Sequence, residues 1–140
     1  MAQNTSPVFP LVPVVTWVNA AGLVANTTTD LTAGTNYNSN FTSNATNGSR
    51  VDFIRARTLG TNVATVMRVW LNNGSATGTA ANNTLFFERT LAASTVSQIS
   101  EQIDTVLPIN VSLPAGYKIY YTFGTAVAAG YGIQVVGGDY

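Results

Sequence analysis

Between Tyr117 and Phe123 every second residue is large and apolar: Tyr117, Ile119, Tyr121 and Phe123. A repeat of two places such side chains on one face of an extended strand, whereas a helical repeat of 3.6 would scatter them. The same alternation recurs along the second two thirds of the chain. In 51–59, Val51, Phe53, Arg55 and Arg57 face one way and Asp52, Ile54 and Ala56 the other. In 63–71, Val63, Thr65, Met67, Val69 and Leu71 form a nearly unbroken apolar face. Opposite them lie Ala64, Val66, Arg68 and Trp70, so this strand is expected to be covered on both sides, at the centre of the core. Leu85, Phe87, Arg89 and Leu91 alternate with Phe86, Glu88 and Thr90, and Tyr131, Ile133 and Val135 form a last strand.

Between these runs lie turn formers. Asn72 to Asn83 is a loop of small residues, and Leu113-Pro114-Ala115-Gly116 places proline at the second position of a turn. Pro108 interrupts the strand from Val106 to Leu113, which predicts a sheet edge or a bulge there. Val96, Ile99 and Ile103 sit at roughly helical spacing, so 93–104 is expected to make a helical turn. The total is about eight short strands and no long helix. That pattern predicts an all-β chain folded as an antiparallel β-sandwich, with a jelly-roll-like arrangement favoured over an immunoglobulin-like one.

At 140 residues the chain suits one domain able to bury a sizeable core. We divide it into an extended N-terminal arm, 1–13, and a single sandwich domain, 14–140. Pro7, Pro10 and Pro13 exclude a helix and a central strand from the arm, and between them lie Val8, Phe9, Leu11 and Val12. The arm is expected either to strap its own core or to reach a neighbour. Residues 26–49 are dominated by Asn, Thr, Ser and Gly and read as loops around one or two short strands.

Chemistry is restricted by what is missing. There is no cysteine and no histidine, which removes disulfides, thiol nucleophiles, the commonest general base and the commonest metal ligand. Six acids balance six bases, and charged residues make up only 9% of the chain. No basic footprint for nucleic acid or for an acidic membrane surface follows. Asp52 and Glu88 lie in strong strands with arginines near, and are expected to form cross-strand ion pairs rather than a catalytic dyad. No enzyme, no cofactor and no resident metal are expected, although an Asn-rich loop with Asp30 or Asp139 would suit calcium. The polar surface comes instead from 20 Thr, 14 Asn and 9 Ser. Such a weakly charged surface suits a chain packed among copies or partners. Trp17, Trp70 and Tyr120 are candidate flat platforms for a sugar, with Trp70 assigned rather to the core. No signal peptide is legible at Met1-Ala2-Gln3-Asn4.

Arg55 to Gly74 (RARTLGTNVATVMRVWLNNG), Ala80 to Leu85, Leu113 to Lys118 and the ending Gly137-Gly138-Asp139-Tyr140 resemble small proteins from the structural-gene blocks of tailed bacteriophages. The likeness spans about 50–140 and fades before it. It implies a jelly-roll capsid decoration or cement protein, commonly trimeric, bound to the outer surface of the phage head. On that resemblance the expected partners are the major capsid protein and two further copies of the chain, and the expected location is the virion. Val8, Phe9, Leu11, Val12 and Trp17 are the candidate capsid or inter-subunit contacts. The alternative is a carbohydrate-binding or receptor-binding module of a tail or fibre, in which loops 26–49 and 72–83 meet a glycan or a neighbouring subunit.

Overall fold

The computed structural model describes residues 9–21, 24–28, 31 and 38–140. Eight strands follow in chain order: β1 Val12–Ala20, β2 Asn38–Thr42, β3 Ser49–Thr58, β4 Thr65–Asn72, β5 Asn83–Leu91, β6 Asp104–Leu113, β7 Lys118–Phe123 and β8 Tyr131–Asp139. Among the described residues the helical element is one 3-10 turn, Ala80–Asn82, just ahead of β5. The strands form two four-stranded antiparallel sheets, ordered β1-β8-β3-β6 and β2-β7-β4-β5. The first strand pairs with the last, the second with the seventh, the third with the sixth and the fourth with the fifth. That nesting is the wiring of a jelly roll.

Alternation explains the core. Ile119, Tyr121 and Phe123 of β7, Met67 and Val69 of β4, Ile54 and Ala56 of β3, and Tyr131, Ile133 and Val135 of β8 all point between the sheets and are buried. Phe123 stacks on Tyr131 with ring centroids 5.1 Å apart and meets Tyr121 edge-on at 5.9 Å. Strand β4 is covered on both faces, as its sequence predicts. Trp70 is only 2% exposed, yet it lies outside the inter-sheet core. On the outer face of the second sheet it packs with Tyr120 and Leu31, and its indole N–H donates to Thr122 Oγ1 at 3.1 Å. The described part of 24–31 crosses this face: Asn26 N–H donates to the Phe123 carbonyl, and Arg68 Nη1 donates to the Asn26 carbonyl.

Four expectations need correction. The register of β3 shifts between Val51 and Phe53, so Val51 enters the core while Phe53, Arg55 and Arg57 stay outside. One extra residue reverses the parity of everything before it. Strand β4 starts at Thr65, leaving Val63 exposed. The 93–104 stretch forms no helix. Instead Ser97 Oγ accepts from the backbone of Ile99 and Ser100, a local bond that competes with helical pairing, and Ile99 is fully in solvent. The arm joins the sheet earlier than expected, since β1 begins at Val12 and Leu11 N–H donates to the Asp139 carbonyl at 2.7 Å. Pro13 is tolerated because β1 is an edge strand. Pro108 likewise sits on the edge strand β6, opposite Phe53 at the bulge.

The hydroxyls of Tyr121 and Tyr131 are buried without a hydrogen-bond partner among the described residues. Burial holds both phenols above their ordinary pKa, because the charged form cannot be solvated there. The folded state therefore keeps its proton longer than the unfolded chain. Stability is intact below the ordinary phenol value of about 10 and falls as pH rises above it. Tyr131→Phe removes the idle hydroxyl while keeping the stack. It is expected to leave stability unchanged or raise it by about 1 kcal/mol, and to flatten the alkaline fall, as measured by thermal unfolding from pH 7 to 11.

Candidate docking face

The outward side chains of the first sheet can be read across its register. Val15 of β1 pairs with Val136 of β8, Val136 with Phe53 of β3, and Phe53 with Pro108 of β6. These residues form an apolar row from one edge of the sheet to the other. The next row is Trp17, Gln134, Arg55 and Val106, and the one beyond is Asn19, Gly132, Arg57 and Asp104. Val15, Trp17 and Val106 are exposed, Trp17 to 70%. Strands lie about 4.8 Å apart and alternate residues about 6.8 Å along a strand, so the six apolar positions of these rows cover about 200 Å².

Ion pairing keeps the face nearly neutral. Arg55 grips Asp104 through Nε and Nη2. The hydrogen bond from Arg55 holds the Asp104 carboxyl below the usual carboxylate range, against the desolvation that opposes it and with smaller help from the charges of Arg55 and Arg57. Arg50 and Asp52 pair at 2.8 Å along the same strand, not across strands as expected, while Arg68 and Glu88 do pair across β4 and β5 at 2.7 Å. Two prolines protect the edges of the first sheet, Pro13 on β1 and Pro108 on β6. Each removes a backbone donor, which discourages strand addition and leaves the face as the accessible surface.

The sequence-based candidates separate on this frame. Trp17 stands on the face, and Phe9, Leu11 and Val12 are exposed at the end of β1, Leu11 to 81%. Val8 lies outside the described residues. Tyr120 and Trp70 are buried and unavailable as platforms. Val15, Val136, Phe53, Pro108 and Val106 were not singled out by sequence. Their common face comes from register between four strands distant in the chain.

The loop at 72–83 is not a free polar surface. Asn72 Nδ2 donates to Asn83 Oδ1 and Asn73 Nδ2 to Asn82 Oδ1, while Asn82 and Asn83 donate to the carbonyls of Ala76, Thr77 and Thr79. These amides hold the loop itself together. A cavity of about 360 Å³ at Ala64, Val66, Arg68 and Thr125 offers Arg68 as its one charged wall, already bound to Glu88 and the Asn26 carbonyl. Among the described residues no group of three or more Asp or Glu comes together, and no helix is long and apolar enough to cross a membrane.

Comparison with known proteins returns no matching family model, no similar curated protein and no similar solved structure.

Proposed function

We propose that this chain is a virion structural protein, a capsid decoration or cement protein that lays the outer face of β1-β8-β3-β6 on the head shell. The observation that carries the reading is the asymmetry between the two sheets. The chain's own Leu31 covers the middle of the outer face of the second sheet, over Trp70 and Tyr120, while Leu85 and Phe86 on its edge strand stay exposed. Among the described residues nothing covers the other face, which carries an apolar row and charges that are paired apart from Arg57. A partner with a flat, weakly charged surface, such as the major capsid protein, fits it.

Size argues for more than one copy. A stable pairwise interface buries roughly 800 Å² on each partner, well above the apolar area here. Exposed Phe9 and Leu11 enlarge the contact, and a trimer gains the remainder by presenting the same face three times at high effective concentration.

The test uses the full chain and phage heads prepared without it. Sedimentation equilibrium is expected to give the mass of a trimer, and co-sedimentation with heads is expected to saturate and to raise the temperature at which they break. A monomer that stays in the supernatant at every concentration would overturn the proposal.

A further inference from the structure

At the polar end of the same face lies a hollow of about 160 Å³, lined by Asn19, Arg55, Arg57, Leu59, Gly132 and Gln134. Its floor exists because the middle position of the Asn19–Gly132–Arg57 row has no side chain. A Cβ at Gly132 would sit in it, 3.2 Å from Asn19 Oδ1 and 3.4 Å from Leu59 Cδ2.

The polar groups around the hollow differ from those of the 72–83 loop. In the 72–83 loop the asparagine amides bond to one another and to loop carbonyls. Here the carboxamides of Asn19 and Gln134 are exposed, and no hydrogen bond within the described residues engages them. Arg57 is exposed and forms no ion pair among the described residues: the neighbouring carboxylate, Asp104, is held by Arg55 and feels the charge of Arg57 only at longer range. Two guanidiniums thus share one carboxylate, leaving one positive charge at the rim. Trp17 stands beside the hollow, opposite Gln134 and about 7 Å along β1 from Asn19.

We propose that this hollow binds an acidic monosaccharide of the hexuronate type. Its carboxylate meets the fork of Arg57, which suits bidentate contact. Its hydroxyls exchange hydrogen bonds with the Asn19 and Gln134 carboxamides, each of which can donate and accept. The apolar C–H face of the sugar rests on the exposed indole of Trp17, whose backbone is fixed by the pairing of β1 with β8. A carboxylate from a protein side chain would engage Arg57 and leave the indole and both amides idle. A neutral sugar would leave the charge of Arg57 unmatched. The site shares the outer face with the apolar row but does not depend on the docking reading.

The experiment is a titration of the 15N-labelled full chain with sodium D-glucuronate, alongside D-glucose and acetate. Saturable shifts are expected at the Trp17 indole N–H and the side-chain amides of Asn19 and Gln134, with a dissociation constant of about 1–10 mM. Glucose and acetate are expected to bind at least about tenfold more weakly, and Arg57→Gln to weaken glucuronate at least about fivefold. Gly132→Ala fills the floor at a position of ordinary backbone geometry. It is expected to keep or raise the melting temperature while abolishing the response. No saturable response to glucuronate, an equal response to acetate, or undiminished binding by Gly132→Ala would each overturn the proposal.

Discussion

Gly130→Ala is expected to cost about 3–5 kcal/mol of folding stability and to lower the melting temperature by roughly 10–17 °C. Two effects combine. Gly130 has φ +77, a left-handed conformation that a residue with a Cβ adopts at about 1–2 kcal/mol. The added Cβ would also lie 1.9 Å from the Ala20 carbonyl oxygen and 2.5 Å from the Ala21 Cα, so backbone has to move. Little freedom exists to move it. The Gly130 carbonyl accepts from Leu59 N–H and from Asn62 Nδ2, and its N–H donates to Asn62 Oδ1. Gly130 also leads into β8, which is paired on both sides by β1 and β3. Gly116→Ala separates the two effects, because Gly116 has a similar φ of +76 but open space where the Cβ would go. It is expected to cost only about 1–2 kcal/mol. Equal losses for the two variants, read by chemical denaturation, would show that contact with Ala20 is not what makes Gly130 critical.

Much of the strand content was legible because period-two alternation is local and survives in the sequence wherever a strand has one buried face. The runs at 63–71, 117–123 and 131–135 became β4, β7 and β8, and Pro108 marked an edge strand. The burial of Trp70 was legible too, but not its location. Its cover comes from Leu31, almost forty positions earlier, and nothing in the local pattern distinguishes an inter-sheet core from a second cluster outside. Parity failed at Val51, because a bulge is one uncompensated residue and leaves no compositional trace. The helical turn at 93–104 failed because three apolar residues at suitable spacing do not bury themselves. Ile99 faces solvent, and Ser97 captures the backbone donors that a helix would use. The candidate face was legible only at Trp17 and the exposed arm residues. The Val15–Val136–Phe53–Pro108 row depends on which strands become neighbours and in which register, and both are set by long-range pairing.

Val15→Asp is expected to leave the fold intact and to reduce attachment to heads by a hundredfold or more. Val15 is exposed, points outward and sits opposite Val136, so a carboxylate there remains hydrated in the free protein. The change in stability is expected to stay within about 0.5–1 kcal/mol. In the docked state the same carboxylate is desolvated against an apolar surface without a partner, a loss of roughly 1.4 kcal/mol or more, or about tenfold per contact. A trimer carries the substitution three times. If all three faces engage together, the losses multiply toward about a thousandfold, whereas a lone copy shows only the single-site factor of about ten. The size of the effect therefore reports both the face and the number of copies. Phe86→Asp is the matching control, being a comparably exposed apolar position on the edge strand β5 of the other sheet. It is expected to leave co-sedimentation unchanged. Loss of attachment with Phe86→Asp but not with Val15→Asp would place the contact on the opposite sheet and remove the basis for assigning the uncovered face to docking.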